Sequence, residues 1–262
     1  MASINGQNVP LGGRQPKTIL SRLLLANGLV VGDDTIVDAV WGARPPRSAR
    51  QALHTYVRHL RRALEPDREP RGASAVLVRH PGGYAVDPTR VELDADRFAD
   101  LVATGSAALL DGRCDVALTR LDAALGLWHG APYADLGAAS VVQGAVRQLE
   151  LLRATAREDR IAARLALGQH HRVLVEAQSL TDEHPLHERA WELRGLALYR
   201  CGRPAEALGA LRAAQRWLRD ELGVDPGHRL QALRQAILKR DRALDWQPVT
   251  ALRAYPAPWA VN

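Results

Sequence analysis

Along most of the chain apolar residues recur every three or four positions, and strict alternation is confined to a few short runs, so a mainly α protein is predicted. Ile4-Asn5-Gly6-Gln7-Asn8-Val9 reads as a hairpin, because Asn-Gly supplies the positive φ that a two-residue turn needs. A first helix is predicted from about Pro16, with Ile19, Leu20, Leu23 and Leu24 on one face and a stop at Asn27-Gly28. A second begins near Asp33, turns Ile36, Val37, Val40 and Trp41 inward and ends at Gly42. Ser48 and Gln51 form an S-x-x-Q capping box, which starts the third helix at Ala49, and Pro66 stops it after Leu64. Its length is then roughly 24 Å. Ala75–Arg79 and Tyr84–Val86 alternate as two strands about His80-Pro81-Gly82-Gly83. Three helices and a basic hairpin make a winged helix-turn-helix layout.

On a helical wheel Leu53, Val57, Leu60 and Leu64 of the third helix fall within about 60° of one another, a narrow core stripe. Arg50, Gln51, His54, Arg58, His59, Arg61 and Arg62 spread over the remaining faces. From Arg44 to Leu64 there are six arginines and no acid. A merely solvated helix interleaves acids with bases and gains i,i+4 pairs. This one accepts like-charge repulsion, as a helix facing phosphates does. Arginine and glutamine read base edges in the major groove, and flanking arginines hold phosphate. The residues expected to read bases are drawn from Arg50, Gln51, His54, Arg58 and Arg61. Arg62, with Arg79 and His80 of the wing, is expected mainly to hold the DNA backbone. A membrane-surface helix is the poorer reading, since the large apolar residues are few and are needed for the core.

From Val91-Glu92-Leu93-Asp94 onward the chain reads as helices. Gly112-Arg113-Cys114-Asp115-Val116-Ala117-Leu118, Gly168-Gln169-His170-His171-Arg172-Val173-Leu174 and Gly202-Arg203-Pro204-Ala205-Glu206-Ala207-Leu208 share one pattern. In each a glycine ends one helix, and a leucine six residues later is expected to bury early in the next. The second and third copies lie 34 residues apart, the tetratricopeptide period. The first two lie 56 apart, because a segment after Gly130 is inserted. Stacked helix pairs of this kind leave a concave surface for another protein, the alternative being a bundle that only pairs subunits. Trp128, Trp191, Trp217 and Leu218 are read as core. The expected division is a winged-helix domain over 1–90, a tetratricopeptide-like domain over 91–244 and a flexible tail over 245–262.

Charge sharpens that division. Residues 1–90 hold thirteen Lys+Arg against seven Asp+Glu, whereas 91–262 hold twenty-two of each, so the whole net charge of +6 lies in the first part. One domain is thus suited to a polyanion and the other to protein. Hydrophobic residues at 47% and charged residues at 24% are ordinary for a soluble globular protein. No apolar run is long enough to span a bilayer, and Met1 to Lys17 lacks the apolar core of a signal peptide. Cys114 and Cys201 are far apart and suit reduced thiols, so a cytoplasmic location without membrane contact is expected.

No enzyme motif survives inspection. Gly12-Gly13-Arg14-Gln15-Pro16-Lys17-Thr18 imitates a phosphate-binding loop, but Pro16 stands where glycine is required before the lysine and removes a donor. There is no G-x-S-x-G, no H-E-x-x-H and no strand followed by G-x-G-x-x-G. His184 and His187 have H-x-x-H spacing, yet no nearby cysteine completes a metal set. No catalytic residue, cofactor or metal is expected.

Leu29-Val30-Val31 through Asp38-Ala39-Val40-Trp41-Gly42, Leu60-Arg61-Arg62-Ala63-Leu64 and Gly83-Tyr84 resemble the OmpR-type winged helix. Downstream, four phrases resemble the bacterial transcriptional activator domain. They are Ala124-Leu125-Gly126-Leu127-Trp128-His129-Gly130, Glu183-His184-Pro185-Leu186-His187-Glu188-Arg189, Ala197-Leu198-Tyr199-Arg200-Cys201-Gly202-Arg203 and Asp220-Glu221-Leu222-Gly223-Val224-Asp225-Pro226-Gly227. Together they make the chain similar, over about residues 8–244, to the Streptomyces antibiotic regulatory proteins. That resemblance implies activation of a secondary-metabolite gene cluster, through direct repeats in promoter DNA and contact with RNA polymerase. Self-association on adjacent repeats is expected with it. OmpR-type heads open with a small antiparallel sheet, whereas some fifteen residues precede the first helix here, enough for about two strands. Either the start is assigned too late or the domain is trimmed. Longer members append a nucleotide-binding module, which this chain is expected to lack.

A protein-interaction adaptor whose basic head binds an acidic partner, or DNA without sequence preference, is the competing reading. A regulator switched by a ligand in the helical cradle is a third. Sequence-selective, tight DNA binding separates the first reading from the adaptor.

Overall fold

The computed structural model describes residues 3–4, 7–69, 72–137 and 139–247. They form two compact units, one of residues 1–96 with 129–150 and one of 97–128 with 151 onward. The segment that interrupts the glycine repeat therefore belongs to the first unit.

In that unit β1 (Ser3–Ile4) pairs antiparallel with β2 (Gln7–Asn8), Ser3 opposite Asn8 and Ile4 opposite Gln7. Asn5 and Gly6, read as the turn, lie outside the described residues. Helix α1 (Arg14–Leu24) begins two residues ahead of the expected Pro16. Proline is tolerated there because the first-turn N–H groups have no helical partner to lose. Asn27 and Gly28 then reverse the chain at φ 45° and 82°. A strand the alternation did not reveal follows: β3 (Val31–Gly32) is only two residues long, too short to show a period. Helix α2 (Asp33–Trp41) ends at Gly42 as expected.

Helix α3 runs over Ala49–Leu64, the predicted span, but the capping box is not made. Ser48 sits at φ −88°, ψ 10° instead of the extended conformation that aims an N-cap oxygen at the first free N–H groups. The start is held by backbone bonds, Ala49 N–H to Pro46 O and Ala52 N–H to Ser48 O, each 2.9 Å. Strands β4 (Leu77–His80) and β5 (Gly83–Val86) form the wing, with β5 central in the order β3-β5-β4. The turn is shorter than expected. His80 pairs with Gly83 in the ladder, leaving Pro81-Gly82 at the tip, with Gly82 at φ 84° as a type II turn requires. Ala75 and Val76 are outside the strand, because the Glu65 carboxylate accepts from the Ala75 N–H and the Ser74 hydroxyl. Gly83 opposes Gly32, and a Cβ on it would lie 2.2 Å from the Val31 carbonyl oxygen. Ile19, Leu23, Ile36, Leu53, Leu60, Leu77 and Tyr84 fill the core between these elements. The unit is completed by a short 3-10 turn, Ala134–Leu136, on α1, where Leu136 is buried and Asp135 pairs with Lys17.

The remaining described elements are the helices α4 (Asp94–Leu110), α5 (Cys114–Leu125), α6 (Ser140–Ala166), α7 (Leu174–Glu183), α8 (Glu188–Arg200), α9 (Pro204–Leu222) and α10 (His228–Lys239), with short 3-10 turns at Pro88–Arg90, His170–Val173 and Arg242–Leu244. Gly112, Gly168 and Gly202 end their helices at φ 75°, 77° and 75°, so the repeated glycine marks one repeated backbone conformation. The repeated leucines, however, are only partly buried. Ala117, Val173 and Ala207, five residues after each glycine, are the positions fully excluded from solvent. A small or β-branched side chain there lets neighbouring helices approach.

Trp191 and Leu218 are core, and the Trp191 Nε1–H donates to Pro185 O at 2.8 Å. Trp128 is half-buried, edge-on to Phe98 at 5.5 Å. Trp217 corrects the expectation: it is 44% exposed, because the buried stripe of α9 is Ala207, Ala210, Leu211, Ala214 and Leu218. The tail expectation also shifts. Trp246 is docked, its Nε1–H donating to Ala166 O at 2.9 Å and its ring 5.9 Å from His170, edge to face. Residues 248–262 lie outside the described residues.

A Cβ on Gly168 would meet the Trp246 ring at 2.7 Å as well as a left-handed backbone. Gly168→Ala is expected to lower stability by about 1–3 kcal/mol in urea denaturation. Gly144→Ala, within α6 and with open space around it, is expected to raise it by up to about 1 kcal/mol.

Candidate nucleic-acid interface

Helix α3 buries Ala49, Leu53, Val57 and Leu60 and packs on α1 and α2. The 3.6-residue period then puts Gln51, Thr55, Arg58 and Arg62, spaced i, i+4, i+7 and i+11, on the opposite face. His54 and His59 flank them, and all six are exposed. Among the described residues no hydrogen bond or ion pair holds the side chains of Gln51, His54, Arg58, His59 or Arg62. Their charges and donors are available to a partner. Arg44 and Arg47, in the connection between α2 and α3, are exposed as well.

Three of the expected arginines are placed differently. Arg61 turns inward, and its Nε and a terminal nitrogen donate to Leu77 O at 3.0 and 2.7 Å. Burial pulls its pKa below the ordinary arginine value, and its guanidinium lies 5.7 Å from the Tyr84 ring centre. A group so engaged ties the last turn of the helix to the wing. Arg79 forms a two-pronged pair with Asp33, at 2.7 and 3.0 Å, and stacks 4.4 Å from the Tyr84 ring centre. Arg50 pairs with Asp34 at 2.6 Å, with both side chains open to water, so that pair holds it weakly. His80 lies half-buried at the end of β4, beside the tip of the wing.

Thr55 was missed in the sequence because a small neutral residue adds nothing to a charge count. Its position on the wheel, one turn from Gln51 and one from Arg58, was the available signal. The inward turn of Arg61 had no such signal, since it depends on a carbonyl supplied sixteen residues later.

Two family models match the chain: "Transcriptional regulatory protein, C terminal" over residues 6–86, and "Bacterial transcriptional activator domain" over residues 93–238. The regulatory protein DnrI of Streptomyces peucetius is 36% identical over 251 residues, covering 94% of this chain and 91% of that protein. The chain belongs to the Streptomyces antibiotic regulatory protein family. As a member it is a transcriptional regulator and not an enzyme. The regulatory protein AfsR of Streptomyces coelicolor is 39% identical over 245 residues, 92% of this chain but 23% of that longer protein. Among solved structures, Mycobacterium tuberculosis EmbR in complex with a low-affinity phosphopeptide superposes with a TM-score of 0.83 at 33% identity. That match covers 91% of the regulator and 62% of EmbR. The mainly helical fold, with an OmpR-type winged helix followed by a helical domain, is shared.

Removing Arg61 leaves the Leu77 carbonyl without its charged donor. Arg61→Ala is expected to destabilise the regulator by about 1–3 kcal/mol in thermal or urea unfolding. Arg58→Ala, on the outward face, is expected to change stability by less than about 0.5 kcal/mol.

Proposed function

We propose that the regulator activates transcription by seating α3 in the major groove of promoter DNA. The observation that carries this reading is the outward face of α3, where Gln51, His54, Arg58 and Arg62 lie exposed, unpaired and without an acid among them. A helix about 10–12 Å wide fits a major groove of similar width. Arg58 suits the O6 and N7 edge of a guanine, and Gln51 the N6 and N7 edge of an adenine. Arg62 and His59, at the rim, hold phosphates, joined by His80 at the wing. Arg79 orients the wing through Asp33, and Arg61 fixes the angle between wing and helix.

In this reading the target is a promoter of a secondary-metabolite gene cluster carrying direct repeats. The helical unit pairs subunits on adjacent repeats and meets RNA polymerase. The match to the bacterial transcriptional activator domain supports an activating role. In this reading the regulator acts in the cytoplasm, where a protein that binds promoter DNA works.

The test is a fluorescence-anisotropy titration of the protein against promoter DNA from its gene neighbourhood, beside a shuffled duplex, over several salt concentrations. A preference of about a thousandfold is expected. Equal, salt-sensitive binding to both duplexes would overturn the reading in favour of a generic basic surface. Within the same assay, Arg58→Ala is expected to cost about 1–3 kcal/mol on the specific duplex only. Arg62→Ala should weaken binding to both duplexes and reduce the salt slope by about one.

A further inference from the structure

Thr55 occupies the middle of the outward face of α3, with Gln51 one turn before it and Arg58 one turn after. Its hydroxyl is already engaged, donating to the Gln51 carbonyl oxygen at 3.1 Å. A back-bond of this kind selects one of the few side-chain rotamers open to a β-branched residue in a helix. With its proton directed at its own backbone, the hydroxyl has no donor left for a base edge, and the methyl is the apolar group that Thr55 presents on this face. Every other exposed side chain on or beside this face, Gln51, His54, Arg58, His59 and Arg62, ends in a polar or charged group.

In the major groove one base carries an apolar mark, the C5-methyl group of thymine. Glutamine and arginine read donors and acceptors and gain nothing from a methyl. Along the helix axis Thr55 stands roughly 6 Å from Gln51 and roughly 4.5 Å from Arg58, one to two base-pair steps from each.

We propose that Thr55 determines specificity by packing its methyl group against the 5-methyl of a thymine within the base pairs read by Gln51 and Arg58. The proposal rests on the DNA-reading function above and names part of the sequence it selects. Excluding one methyl group from water is worth about a three- to fivefold change in affinity.

The experiment uses the full chain and the preferred duplex recovered by selection from a random-sequence DNA pool. Each thymine is replaced singly by deoxyuridine, which removes the methyl and leaves base pairing intact. For the unaltered protein, one thymine in each recognised repeat is expected to lose about three- to fivefold in affinity. Thr55→Ser keeps the hydroxyl and deletes the methyl, so it should bind thymine and uracil equally at that position. Thr55→Val keeps a methyl without the hydroxyl and should still discriminate. The proposal is overturned if no thymine is sensitive in the unaltered protein. It is overturned equally if the sensitivity survives Thr55→Ser or disappears in Thr55→Val. If selection recovers no preferred duplex, DNA reading itself fails and this inference falls with it. A preferred duplex indifferent to uracil removes the inference alone.

Discussion

Arg61 donates twice to the carbonyl oxygen of Leu77, tying the last turn of α3 to the first residue of the wing. Its guanidinium also lies over one side of the Tyr84 problem: a buried ring that needs cover. Arg61 and Arg79 both approach that ring, at 5.7 and 4.4 Å, and Arg79 continues to Asp33 at the start of α2. One connected set of charge-assisted contacts therefore spans α2, α3, β4 and β5. Partly shielded bonds of this kind are stronger than open surface pairs. They set the angle between the helix and the hairpin, on which any simultaneous grip on a groove and its flanking backbone depends.

The helical unit rests on a different constraint, close approach. A Cβ on Gly105 would stand 2.8 Å from Leu121, and one on Gly195 would stand 3.1 Å from Leu211. Ala117, Ala197, Ala207 and Ala214 are fully buried between helices. Along α6 the apolar contacts give way to a ladder of ions. Arg157, Arg160 and Arg164 share Glu176, with Asp122 and Glu183 joining them. Glu158 and Asp159, on the same helix, are buried and held by Arg189. Removing one member of such a set leaves its partner's charge uncompensated, so the network ties helix register to sequence more tightly than apolar packing does.

Much of this was legible in the sequence, for reasons that differ by element. The end of α3 follows from Pro66, whereas its start at Ala49 was read from a capping box that Ser48 does not make, the backbone bonds there setting the same bound. The glycine at each repeat boundary was legible because only its φ matters locally, whereas the burial of the following leucine depended on which neighbour helix it met. β3 escaped because its pairing with β5 is set by Gly83, fifty residues on, and not by any local alternation. In the candidate site, Gln51, His54, Arg58 and Arg62 follow from the wheel alone. Arg61 and Arg79 do not, since a guanidinium is drawn to the carbonyl or carboxylate that the tertiary fold supplies. A long side chain's destination is a property of distant segments.

The 3-10 turn at Ala134–Leu136 gives the first unit a non-contiguous chain. Leu136 is one of its buried residues, and Asp135 supplies the partner of Lys17, yet both are synthesised about fifty residues after the wing is finished. On a ribosome adding about 5–20 residues per second, the head thus waits several seconds for its last piece. During that interval the part of α1 that the turn later packs against stays open to solvent. The order of assembly is written into the gene: the winged-helix unit begins first, and it closes only after the helices that follow it are under way.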